Sequence, residues 1–381
     1  LLAAFLLGGG RQTRDRLLLP FVSMLCAIGL VILWRIDLAL GTALAAKQVL
    51  WMLVGLAAMV VTYRGIADIR DLARYKYTAG AVALFLLIVT IVSSLGHESH
   101  GATLWLKIPY LLAFQPAELA KVLMCIFLAG YVAEKGDIIR AQAASRPGAF
   151  LPALKYMGPL LVVVVFFLAV FVLQRDLGAA VLFFGLFVAV TYLATGRKTY
   201  ALLSVILFAV GMVAAVYLFS HVRTRFEAWI NPWGDPTRGG YQILQGLFAL
   251  GSGGVTGVGL GQGFPGQIPT PSTDMIYAVI GEEMGLLGTL AVILLYALIA
   301  VRSFTLGIRS THPFGALLAT CLAVVFGLQT LIIVGGVLRM IPMTGITMPF
   351  VSYGGTSVVV NFVALGLLLA VARDSGKIPE E

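Results

Sequence analysis

Ten apolar stretches of roughly membrane-spanning length recur along the chain, separated by short polar runs. They lie near residues 17–36, 48–63, 77–95, 112–134, 155–174, 177–195, 199–220, 274–301, 314–338 and 352–372. A helix needs about 20 apolar residues to cross the hydrocarbon of a bilayer. The second stretch is short and carries Trp51 and Tyr63, aromatic residues suited to the membrane–water boundary. The pattern predicts an all-α polytopic membrane protein, a bundle of about ten transmembrane helices forming one integral membrane domain over residues 1–381. The longest interruption, residues 221–273, is expected as a large loop between the seventh and eighth spans. Inside it, Ile243, Leu244, Leu247 and Phe248 recur at helical spacing and predict a short interfacial helix.

Composition supports the membrane reading. Sixty per cent of residues are hydrophobic, 11% are charged, and mean hydropathy is +0.99, whereas soluble domains are about 25% charged. The net charge of +9 follows topology. The loops holding Arg11, Arg64, Lys135, Arg197, Arg302 and Arg373, together with the segments flanking the chain's ends, carry 17 of the 26 Lys and Arg residues. The opposite loops carry 8, and Lys121 lies within a span. This bias predicts that both termini face the cytoplasm and the 221–273 loop faces outward. It also gives the basic surplus an explanation that needs no nucleic acid. The first ten residues lack a basic region before their apolar run and make a poor signal peptide. Cys26, Cys125 and Cys321 lie in apolar stretches and read as small buried hydrophobes. His97 and His100, expected in a loop, form no metal-ligand motif.

The candidate chemistry lies where polar residues interrupt hydrocarbon. Gln115, Glu118 and Lys121 follow one another at three-residue spacing, about 60° apart around a helix. A charge at the centre of a membrane helix costs roughly 2.5–3.5 kcal/mol on insertion scales, so these residues are either mutually paired or in use. Gln174-Arg175-Asp176 stands between the fifth and sixth spans, as a tight turn or as part of a site. The outer loop holds Arg225, Trp229 and Gln242. Thr273 and Asp274 open the eighth span, with Glu282 and Glu283 expected about 12 Å further along the helix. Asp274 alternatively reads as a helix N-terminal carboxylate, and the two glutamates as structural polar packing. Ser352, Tyr353 and Gly354 open the last span, with Asn361 further in; close helix packing is their structural alternative. A glycine-rich run, Gly251 to Gly263, lacks the preceding strand and following helix of a nucleotide loop. It reads as backbone that bends tightly and approaches a ligand or headgroup. All these clusters fall at the outer ends of spans, which predicts an outward-opening polar cavity that collects them.

Taken together, Gln115-Pro-Ala-Glu-Leu-Ala-Lys121, Gln174-Arg-Asp-Leu-Gly178, Gly240-Tyr-Gln242, Thr273-Asp274 with Glu282-Glu283-Met-Gly285, and Pro349-Phe-Val-Ser-Tyr-Gly-Gly-Thr-Ser357 resemble the SEDS family of the RodA/FtsW type. The motifs occur in family order over nearly the whole chain. The resemblance implies a peptidoglycan glycosyltransferase that polymerises lipid II, a disaccharide-pentapeptide on undecaprenyl pyrophosphate, at the outer face of the bacterial cytoplasmic membrane. It implies Asp274 as the essential carboxylate. It also implies dependence on a divalent cation, Mg²⁺ or Mn²⁺, and a class B penicillin-binding protein as partner within the lipid bilayer. The chain departs from the commoner pattern at Ala117, Arg175 and residues 270–272. The segment Arg339 to Pro349 leans toward elongation-type members. Two other classes use the same features: a lipid II flippase and a non-catalytic scaffold of the cell-wall machinery. A transporter calls for coupling charges near the midplane and for internal repeats, and no convincing repeat is present.

Overall fold

The apolar runs become helices because hydrocarbon offers no partner for backbone N–H and C=O groups, so each segment must bond its own. A computed structural model of the chain describes residues 15, 17–92, 96–99, 102–107, 113–145, 154–237 and 239–374. Its helices are α1 (Leu18–Leu40), α2 (Leu44–Gly65), α3 (Ile69–Arg74), α4 (Lys76–Val92), α5 (Pro116–Ser145), α6 (Leu154–Gln174), α7 (Leu177–Thr195), α8 (Lys198–Leu218), α9 (Ser220–Ile230), α10 (Tyr241–Gly253), α11 (Ile276–Arg309), α12 (Pro313–Val337) and α13 (Gly355–Asp374). Among the described residues, eight helices are long and apolar enough to cross a membrane: α1, α2, α5, α7, α8, α11, α12 and α13. Two shorter apolar helices, Lys76–Val92 and Gly158–Gln174, account for the other two expected spans. The first ten residues and His100 lie outside the described residues.

Three features depart from the expected pattern. A small antiparallel sheet, β1 (Gly96–Ser99), β2 (Ala102–Lys107) and β3 (Ala113–Phe114), joins α4 to α5 in the order β1-β2-β3. His97 therefore sits on a strand opposite Trp105. The fourth span starts at Pro116 rather than residue 112, because Pro suits the first helical position and disfavours helix in the residue before it. Gln115 is thus just outside the helix, while Glu118 lies in its first turn. The outer loop holds two helices, α9 as well as the expected α10. On α10, Ile243 and Leu244 are buried, while Phe248 points outward.

Burial ranks the helices by their distance from the bundle axis. The apolar window of α13 is 83% buried and that of α8 is 0% buried, so α13 is central and α8 presents its side chains outward. Leu207, Val210 and Tyr217 of α8 form part of that face, suited to lipid contact. Cys26, Cys125 and Cys321 are free and buried, as expected.

The glycine-rich run makes its close approach to α11 itself. Val258 N–H donates to Glu282 O (3.0 Å), Gly259 N–H to Glu283 O (3.1 Å), and Leu286 N–H to Gly254 O (3.0 Å). These bonds replace helical ones where α11 breaks at Gly285 (φ 64°, ψ −164°), a conformation essentially restricted to glycine. A Cβ there would overlap the backbone of Val255, Thr256 and Gly257. Gly285→Ala is expected to destabilise the protein by about 1–3 kcal/mol from backbone conformation alone, read as a lowered melting temperature of the detergent-solubilised protein. At its other end, α11 begins only at Ile276, after Met275, which makes no side-chain cap bond. Asp274 therefore precedes the helix and its N-cap residue.

Candidate functional site

Asp274 lines a cleft of about 280 Å³. The cleft is walled by Thr224, Arg225 and Ala228 of α9, Gly239, Gln242 and Ile243 around the start of α10, and Met343 and Gly345 of the segment before α13. Three of the sequence-predicted residues, Asp274, Arg225 and Gln242, thus meet on one surface. Asp274 and Arg225 are both half-buried. Gly345, at φ 77°, is the near wall: a Cβ there would lie 3.7 Å from Asp274 Oδ2. Gln242 donates from Nε2 to Thr270 Oγ1 (3.0 Å), tying α10 to the loop that carries Asp274.

The cleft is built by clamps between loops distant in sequence. Arg225 Nη1 donates to the carbonyls of Met343 (3.2 Å) and Thr344 (3.0 Å), so its guanidinium both supports and charges the wall. Trp229 Nε1 donates to Arg339 O (3.0 Å), and Arg339 Nε donates back to Trp229 O (2.8 Å). Trp229 is therefore a clamp on the 339–349 segment and does not line the cleft. Ser352 Oγ donates to Thr273 O (2.7 Å), and Tyr353 N–H donates to Ser272 O (2.8 Å). These bonds seat the backbone immediately before Asp274. Thr273 serves there through its carbonyl, and its side chain does not cap α11.

Glu118 and Lys121 lie in a separate, closed network. Lys121 Nζ donates to Glu118 Oε2 (2.8 Å), Gln329 Oε1 (3.0 Å) and Asn361 Oδ1 (3.1 Å), which matches the three donors of an ammonium group. Asn361 Nδ2 reaches Ser357 Oγ (3.2 Å), Thr347 Oγ1 reaches Ser357 Oγ (2.9 Å), and Gln329 Nε2 donates to Thr347 O (2.8 Å). Lys121 is 3% exposed and Glu118 8%. The pair joins α5, α12 and α13 beneath the Thr347 turn and does not line the cleft. The single cavity expected from the sequence is thus divided into an open cleft at Asp274 and a filled polar core below it.

The remaining predicted residues have structural partners. Asp176 caps α7, accepting from Ala179 N–H (2.9 Å). Burial pushes its carboxyl above the usual range, Ala179 N–H and the Arg225 charge oppose that shift, and Glu118 reinforces it. Burial, followed by the Arg175 and Arg225 charges, lowers the pKa of His221 on α9. Glu283 pairs with Arg35 (2.9 Å) and accepts from Gly261 N–H (3.1 Å), while Glu282 accepts from Phe264 N–H (3.2 Å). Both glutamates hold the glycine-rich run. Gln115 N–H donates to Thr356 Oγ1 (3.3 Å). Gly354 N–H reaches Gln48 Oε1 (3.4 Å). Gln48 and Gln329 were not among the residues expected at the site; each is a lone amide in an apolar helix, which was the available signal.

Among the described residues, no group of three or more His, Cys, Asp or Glu is placed to hold a metal ion. Asp274 is the single carboxylate among the described residues lining the cleft. That donor set falls short of a resident metal centre.

Comparison with known proteins shows the family and the fold. Residues 15–377 match the family model described as cell cycle protein, FtsW/RodA/SpoVE. The peptidoglycan glycosyltransferase RodA of Mycobacterium tuberculosis is 39% identical over 366 residues, covering 94% of this chain and 78% of the relative. The probable peptidoglycan glycosyltransferase FtsW of Geobacter sulfurreducens is 33% identical over 334 residues, covering 86% and 84%. A solved chain from a peptidoglycan synthase complex that coordinates polymerisation and crosslinking superposes with TM-score 0.76 at 27% identity, covering 96% of this chain and 99% of that one. The rod shape determining protein RodA of Thermus thermophilus has the same fold, with TM-score 0.67 at 24% identity and coverage of 96% and 98%.

Proposed function

The chain belongs to the FtsW/RodA/SpoVE family of cell cycle proteins and is a peptidoglycan glycosyltransferase; we propose that it polymerises lipid II at the outer face of the cytoplasmic membrane with Asp274 as its base. The observation that carries this reading is the half-buried Asp274 carboxylate on one cleft surface with the Arg225 guanidinium. In the reaction, the acceptor sugar hydroxyl attacks the anomeric carbon of the donor. Asp274 takes the hydroxyl proton as the new C–O bond forms. The bond between the anomeric carbon and the pyrophosphate oxygen breaks, and the lipid pyrophosphate leaves with that electron pair. Arg225 balances the charge that develops on the leaving group. The divalent cation implied by the family resemblance enters this reading only as a companion of the pyrophosphate, since the donors among the described residues do not build a centre of their own.

The protein is a multi-pass membrane protein. The Lys and Arg bias supports an orientation with both termini in the cytoplasm, which places the Asp274 cleft outside. A class B penicillin-binding protein is the partner in this reading, supported by the fold shared with a chain of a peptidoglycan synthase complex.

The test uses purified protein with its partner and labelled lipid II in detergent, where no membrane barrier exists. Glycan strands on a gel are the expected product. A preparation that makes none, yet moves lipid II between vesicle leaflets, identifies a transporter instead. Arg225→Ala is expected to lower the polymerisation rate about 10²–10³-fold, the usual loss when one preorganised charge-stabilising donor is removed. Arg225→Lys should recover only part of it, because an ammonium cannot reproduce the guanidinium fork.

A further inference from the structure

A buried glutamine on α2 faces the turn that seats the proposed base. Gln48 is 0% exposed on a membrane-spanning helix, next to Lys47. A lone amide placed there is costly unless both its oxygen and its nitrogen are bonded. Both are bonded, and to one turn: Nε2 donates to Ser352 O (3.0 Å), and Oε1 accepts from Gly354 N–H (3.4 Å). One helical turn on, Trp51 packs so closely on Gly355 that any side chain there would collide with its ring. Residues 352–355 are therefore held against α2 from two points.

The same turn holds the loop that ends in Asp274. Ser352 Oγ accepts from Met348 N–H (2.9 Å) and donates to Thr273 O (2.7 Å), and Tyr353 N–H donates to Ser272 O (2.8 Å). Two hydrogen bonds, joined through the covalent frame of Ser352, thus connect the Gln48 amide to the peptide unit adjoining Asp274. A catalytic base must lie within about 2.6–3.2 Å of the proton it takes, and misplacement by about 1 Å can cost 10²-fold in rate. We propose that Gln48 is a positioning residue for glycosyl transfer, fixing the Asp274 carboxylate through the Ser352 turn. The inference rests on Asp274 being the base. It is independent of whether Arg225 assists the leaving group.

Three variants of the protein, purified with its partner, decide it by steady-state kinetics with labelled lipid II. Gln48→Met keeps the side-chain length and removes both hydrogen bonds. Ser352→Ala removes the hydroxyl that links to Thr273 O and Met348 N–H, and leaves the Ser352 carbonyl bonded to Gln48. Gln174→Met is the control, since Gln174 is an equally buried amide that ties α6 to Leu87 and Thr90 of α4. The expected result is a fall in kcat of about 10- to 100-fold for Gln48→Met and Ser352→Ala, with KM within twofold of wild type. The double variant should lose no more than the worse single, because both act on one path. Gln48→Glu keeps the acceptor for Gly354 and should recover part of kcat. Full kcat in Gln48→Met overturns the proposal, as does an equal kcat loss in Gln174→Met. If Gln48→Met does not fold, Ser352→Ala decides alone: reduced kcat supports the path and unchanged kcat refutes it. Undiminished activity of Asp274→Asn would instead remove the base assignment on which the inference rests, so the two failures are distinguishable.

Discussion

Asp274→Asn is expected to abolish measurable glycan polymerisation while leaving the protein folded. The substitution is nearly isosteric, so the carboxamide fills the same space beside Gly345 and Arg225. It removes the group that accepts the hydroxyl proton. General-base catalysis contributes about 10²–10⁴-fold, so residual activity should fall to about 1% or less. The check pairs the initial rate of lipid II consumption with a thermal melt of the same preparation. An unchanged melt with lost activity assigns Asp274 to the chemistry. Retained activity moves the base to another residue, and no other carboxylate among the described residues lines the cleft.

Lys121→Met should be strongly destabilising, by about 3–5 kcal/mol. The ammonium is buried against Glu118, Gln329 and Asn361, so its removal leaves the Glu118 carboxylate uncompensated in a low-dielectric interior. The measurement is the melting temperature in detergent. Combining Glu118→Gln with Lys121→Met should recover much of the loss, because the double variant strands no charge. Read from the sequence alone, Lys121 is either paired with Glu118 or in use as a charge at the site. The closed acceptor set makes its first duty structural. Activity should fall as well, since Gln329 and Thr347 connect this network to the segment walling the cleft. A Lys121→Met protein that melts like wild type and yet fails to polymerise would restore the electrostatic role.

The glycine-rich run illustrates what local pattern can and cannot reveal. Its many glycines signal tight bends and close backbone approach, and positive φ at Gly254, Gly257, Gly259 and Gly261 bears out the bends. What the backbone approaches is α11 at Gly281–Gly285, a partner selected by the break in that helix. Glu282 and Glu283 follow the same logic. Their position among apolar residues marks them as engaged, but their partners, Arg35 and the backbone of Gly261 and Phe264, come from elsewhere in the chain.

The ten spans, the helix at Tyr241–Gly253 and the residues that interrupt hydrocarbon were legible in the sequence, because each rests on a local rule. Apolar length determines what can cross a bilayer, 3.6-residue spacing gives a helix its face, and a polar group in hydrocarbon must find a partner or a use. The ordered motifs also identified the family. The small sheet between α4 and α5 lacked a comparable signal, since a strand of four to six residues has too little alternation to stand out beside membrane helices. Only the tertiary structure decided how the polar residues are divided. Asp274, Arg225 and Gln242 share a cleft, while Glu118, Lys121 and Asn361 close on one another beneath it. Sequence spacing places side chains on a helix face, but the choice among partners is made by helices and loops that meet across more than 200 residues of chain, as Lys121 meets Gln329 and Asn361.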